Sequence, residues 1–191
     1  MRCSHLAFMT CGLLRVPMDD AANQTFVERS PAAWADAEAS TGFIGYLPEP
    51  DPDARPNRFL EAEYANRCAI TLTRWRDLES VYGFVFHSSS HAAALRDRSQ
   101  WFLKGDWPTS VAWWFDADTV PTQFEALARY DQLATSGSTP AAFDLRHPFD
   151  SNGTPVRIER SSARQLANRE PSAVRLTQQR SPDAGADVER P

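Results

Sequence analysis

The strand-like segments of this chain are apolar on both sides. His5–Leu14 puts Leu6 and Phe8 on one parity and Ala7 and Met9 on the other. Gly42–Leu47 sets Phe43 against Ile44, and Thr109–Phe115 sets Trp113 against Trp114. Successive residues of a strand point to opposite faces. The sheet these segments build therefore has two apolar faces, unlike the apolar-in, polar-out alternation usual for antiparallel sheets. Large uncovered apolar patches are rare on monomers, so both faces need cover. The chain's own helices are expected on one. The matching sheet of an identical subunit is expected on the other, which predicts a homodimer with an apolar cavity at the sheet.

Arg67–Trp75 is a further strand, with Cys68, Ile70 and Leu72 alternating with Thr71, Thr73 and Trp75. Helices are expected over Asp20–Ser40, kinked or split at Pro31, over Asp77–Phe86 with Asp77 as its cap, over His91–Phe102 behind Ser88–Ser90, and over Thr122–Ala134. The order strand, helix, strand, strand, helix, strand, helix predicts an α+β, ferredoxin-like domain. Its core is a four-stranded antiparallel sheet with helices on one face. The proline-rich stretch from Pro48 to Pro56 reads as a loop. Residues 150–191 hold no Phe, Trp or Tyr and read as a disordered tail behind a domain of residues 1–149, with a weak amphipathic helix near Ser161–Arg169.

Charge narrows the partners. The formal net charge is −5, and the 20 basic residues are scattered and almost all arginine, so nucleic acid is not an expected partner. No apolar run approaches the roughly 20 residues that span a membrane. The 3 cysteines, Cys3, Cys11 and Cys68, contain no Cys-x-x-Cys pair. They read as reduced thiols of a cytoplasmic protein rather than a disulfide framework or zinc site.

The densest chemistry lies between His87 and Trp114. His91, near neutrality in its ordinary titration, is the candidate general acid or base. Arg96 is the candidate for stabilising developing negative charge, and Tyr46 a candidate proton donor. Phe86, His87, Arg98, Trp101, Phe102, Trp113 and Trp114 are the candidate substrate-binding residues, and one of the adjacent pair Trp113 and Trp114 is expected to face the cavity. A structural role is the competing reading for each: a capping histidine, arginines on a solvated face, aromatics in the core. His87 and His91, four residues apart, would share a helix face and could bind a metal, but no third ligand stands nearby. No nucleophile elbow, phosphate loop or dinucleotide fingerprint is present, so no cofactor is expected.

The ordered set His91, Leu95-Arg96, Arg98, Trp101-Phe102, Trp113-Trp114, Pro121-Thr122, Glu125-Ala126, Arg129, Gly137, Thr139 and Ala142-Phe143 resembles the domain-of-unknown-function family 3291. So do Asp19-Asp20 and the stretch from Trp75 to Phe84. The resemblance covers residues 5–149. That family resembles the dimeric α+β barrels, which include antibiotic-biosynthesis monooxygenases, heme-degrading monooxygenases and cyclases. The resemblance implies the fold and a cavity over the sheet, and no particular reaction.

Together these readings predict a small-molecule enzyme of natural-product metabolism. Its substrate would be an apolar aromatic or polyene, and its chemistry acid–base cyclisation, isomerisation or cofactor-independent monooxygenation. The alternatives are a heme or metal redox protein using His91 or His87, and a non-catalytic ligand-binding dimer.

Overall fold

The computed structural model describes residues 3–47, 51 and 53–167. Strand β1 (Ser4–Leu13) is followed by helix α1 (Gln24–Ala39) and the short strand β2 (Phe43–Tyr46). Strand β3 (Cys68–Trp75), helices α2 (Leu78–His87) and α3 (Ser89–Asp97), strand β4 (Ser110–Asp116), helix α4 (Gln123–Ser136) and helix α5 (Arg160–Ala167) complete the order. The sheet has four strands in the order β2-β3-β1-β4, each antiparallel to its neighbour. This is the expected ferredoxin-like arrangement. Pro31 lies inside an unbroken α1, and the hydroxyl of Ser30 donates to the Phe26 carbonyl one turn back. The expected His91–Phe102 helix begins earlier and stops at Asp97, giving way to a short 3-10 turn over Arg98–Gln100.

The doubly apolar pattern produces two cores. On the first face, Leu6, Phe8, Phe43, Trp75 and Ala112 pack beneath Ala37 of α1 and Leu78, Val81, Phe84 and Val85 of α2. Trp75 is the hub. It is fully buried, stacked on Phe84 at 5.2 Å and edge-on to Phe43 at 5.2 Å. Its indole N–H donates to the Thr73 hydroxyl, which in turn donates to the Phe8 carbonyl, so both of these polar groups are partnered. Asp77 caps α2 by accepting from the Ser80 N–H.

On the second face lie Ala7, Met9, Cys11, Leu13, Leu72, Val111 and Trp113. Their cover comes from the same chain. Ala126, Tyr130 and Leu133 of α4 and Phe59 of the β2–β3 connection belong to this core. Helices therefore flank both faces rather than one, with α4 packed on the second. The physical reason is α4. It follows the last strand, returns across the sheet, and presents an apolar stripe of its own.

The packed body also extends past the expected boundary at 149. Val156 and Ile158 pack against the first core, and α5 lies on α2 with Ala163 fully buried. Gly83 permits this approach: a Cβ there would stand 2.6 Å from the Ala163 carbonyl oxygen. The rest of the expected tail, 168–191, lies outside the described residues. Among the described residues, no helix is long and apolar enough to cross a membrane.

Candidate functional site

The residues singled out from sequence do not converge. His91 sits half-buried at the start of α3, its ring 4.6 Å from that of Phe84. Its Nδ1 is 2.9 Å from the Val85 carbonyl oxygen, so Nδ1 carries the proton and donates. Burial lowers its pKa below the ordinary 6.5, against the Val85 hydrogen bond and the Asp36 charge, which raise it. His91 thus clasps α3 onto α2 as a neutral ring. His87 lies at the end of α2, exposed, beside an open groove it shares with Tyr82, Arg160 and Arg164. Ser88 separates the two helices that carry these histidines.

Arg96 and Arg98 are exposed, and between them Asp97 pairs with Arg29. Tyr46 donates to the Trp34 carbonyl across β2 and α1. Burial, with the Glu38 charge beside it, pushes its pKa up, which suits a structural phenol. Trp101 is buried and donates to the Thr25 hydroxyl beneath Arg29. Phe102 packs edge-on to Phe26 and over Gly12, where a Cβ would stand 2.5 Å from its ring. Phe86 is exposed beside Tyr82. Trp114 faces the first core and donates to the Phe149 carbonyl. Trp113 alone of this set belongs to the second-face core.

The neutral state of His91 has a pH consequence. Its folded pKa lies below 6.5, so the unfolded chain takes up the proton first as pH falls. The stability it supports is full above about pH 6.5 and is lost as pH falls through the folded pKa. His91→Gln should flatten the decline of the thermal midpoint between about pH 7 and pH 5. Identical slopes for both proteins would show that His91 is not the group responsible.

A different constellation assembles at one end of the second face. Ala7 of β1 is flanked by Arg74 on β3 and Trp113 on β4, each its register partner. Arg74 is half-buried, and its Nε is buried with no hydrogen-bond partner among the described residues. The Trp113 Nε1 is buried and unpartnered in the same way. Gly45, the β2 partner of Arg74, leaves room for the guanidinium: a Cβ there would stand 2.9 Å from its Nη2. A buried donor without an acceptor costs about 1–3 kcal/mol, so two beside one alanine are a marked feature of this face.

His5, two residues before Ala7 on the same strand, shares that face. It pairs with Phe115, and the two rings meet edge-on at 5.9 Å. His5 and Phe115 are half-buried, as is Leu127 of α4, whereas Met9 and Val111 further along are fully enclosed. Ala7 and Trp113 are as fully enclosed as Met9 and Val111, so the face grades from half-buried at His5 to closed at its middle. An arginine fork and an indole N–H are complementary to a carboxylate or enolate, and the aromatics beside them to an apolar body. The sequence signal was an arginine at an inward-facing position of β3 opposite a glycine of β2. Reading it requires the register, which pairs residues far apart in the chain.

Among the described residues, no group of three or more His, Cys, Asp or Glu side chains stands close enough to hold a metal ion. A family model for a domain of unknown function, DUF3291, matches residues 5–159. No curated protein matches the chain, and no solved structure does.

Proposed function

The chain belongs to the DUF3291 family, and for this member we propose small-molecule binding with acid–base chemistry at the second sheet face. The ligand is an apolar organic acid or enolate, aromatic or polyene in body. Arg74 and Trp113 hold its oxyanion, Phe115 and Leu127 contact its apolar part, and His5 moves a proton at the carbon next to the bound group. Such chemistry serves isomerisation or cyclisation in natural-product metabolism. The same stabilised carbanion is what cofactor-free oxygenation would need. The observation that carries this reading is the pair of buried N–H donors without acceptors among the described residues, because donors aimed at developing negative charge are a main source of rate enhancement.

The heme or metal reading has less support. The Nδ1 of His91 is engaged by Val85, and His87 lies on a different helix.

Calorimetric titration with 1-naphthoate and its neutral isostere 1-naphthamide tests the anion site. The acid should bind and the amide bind at least about tenfold more weakly, a difference of about 1.4 kcal/mol. Equal affinities would remove the anion reading. Deuterium exchange at C3 of phenylpyruvate, followed by proton resonance in heavy water, tests the chemistry. The protein should accelerate it, and His5→Gln should slow it by about 100-fold, within the usual range for a general base. Binding without acceleration would make this a ligand-binding module and not an enzyme.

A further inference from the structure

The opposite end of the second face carries a thiol pair. Cys11 of β1 is register partner to Ile70, and Cys68 lies two residues before Ile70 on β3. The two cysteines therefore share one sheet face on adjacent strands as diagonal neighbours. Cys11 is fully enclosed, whereas Cys68 is half-buried at the strand's start. Two arginines stand at this end. Arg67 is clamped by the carbonyls of Leu14, Glu63 and Arg15. Arg55 donates to the carbonyls of Asp53 and Leu60, and its Nε is buried without a partner among the described residues. A half-accessible thiol beside a buried thiol and two guanidinium groups is the setting of a reactive cysteine.

We propose that Cys68 is the reactive thiol of this chain, a modification site that exchanges with small disulfides, with the Cys11 S–H and the Arg55 guanidinium as its partners. The Cys68 thiolate, its proton released to solvent, attacks one sulfur of R–S–S–R, and the S–S bond breaks. The departing R–S⁻ carries off the electron pair and takes a proton from water, leaving Cys68 in a mixed disulfide. The electrostatics agree with this division of labour. The neighbouring Cys11 thiol holds the Cys68 pKa down, against burial and with help from the Arg55 and Arg67 charges. The Cys68 sulfur, then burial, pushes the Cys11 pKa up, so Cys11 keeps its proton. From α4, the neutral Tyr130 phenol and the Asp131 carboxylate face the pair, and the Arg58 charge lies against both.

The exposed Cys3 is an internal reference. The native protein is treated at pH 7 with 2-hydroxyethyl disulfide, quenched in acid and mapped by mass spectrometry after trypsin, which cuts at Arg67 and Arg74. Cys68 should be modified about tenfold or more faster than Cys3, the advantage a lowered thiol pKa confers near neutrality. Cys11→Ala should bring the Cys68 rate down toward that of Cys3. Arg55→Met, in an irregular connection, should slow it as well and serves if Cys11→Ala fails to fold by circular dichroism. Cys68 reacting no faster than Cys3 would overturn the assignment, as would both variants folding and leaving its rate unchanged.

Discussion

Replacing Arg74 by methionine should weaken binding of an aromatic carboxylate about 30-fold while leaving the protein as stable as before or more so. The two effects have one cause. Arg74 brings a permanent cation to a sheet face where its Nε has no acceptor among the described residues. Without a ligand that arrangement is a cost, on the order of 1 kcal/mol for a half-exposed group. With a carboxylate bound, the same group makes charge-assisted hydrogen bonds. Losing them costs about 2 kcal/mol, which is the 30-fold change. Methionine fills similar space without the charge. A residue that merely supported the fold would behave oppositely, losing stability on replacement. Thermal melts and calorimetric titrations of the same variant with 1-naphthoate read both quantities. A stability loss above about 1 kcal/mol, or unchanged affinity, would show that Arg74 is a structural arginine.

Trp75→Ala should have the largest effect on stability of any change to the first core. Its side chain is fully enclosed, stacks on Phe84, meets Phe43 edge-on, and donates to Thr73. Truncating a buried aromatic to alanine costs about 3–5 kcal/mol, because transfer energy is lost and a cavity remains. That is a large share of the 5–15 kcal/mol typical of a native domain. For a chain of this size it should lower the thermal midpoint by about 6–20 °C. Trp75→Phe should cost less, since it keeps the ring contacts and loses only the N–H to a hydroxyl that still donates to the Phe8 carbonyl. A loss below about 1 kcal/mol for the alanine variant would mean that α2 is not seated on the sheet through this residue.

Much of the fold was legible because it rests on local pattern. The alternation through Cys68, Ile70 and Leu72 marks β3, and Asp77 marks the start of α2 within a residue. The double parity of Phe8 with Met9 and of Trp113 with Trp114 correctly announced two buried faces. Which element covers the second face was not legible. A dimer partner and a returning helix satisfy the same apolar pattern, and α4 is amphipathic in either case. The end of the packed body was misplaced because α5 has few large apolar residues. It docks through Ala163 against Gly83, and close backbone approach of small residues leaves no hydrophobic signature.

The candidate site was legible only in Trp113. His91, Arg96 and Arg98 attract attention as neighbours in sequence, yet the turn at Ser88 and the start of α3 aim His91 at Val85 and leave both arginines exposed. Arg74 and His5, on different strands, become neighbours of one row only through the pairing of β1 with β3 and β4. Element order, the antiparallel sheet and the two apolar faces are set locally, because strand period, caps and breakers act over a few residues. The tertiary structure alone decided which helix closes the second face and which buried donors lack acceptors. Both depend on register and on contacts between residues far apart in the chain.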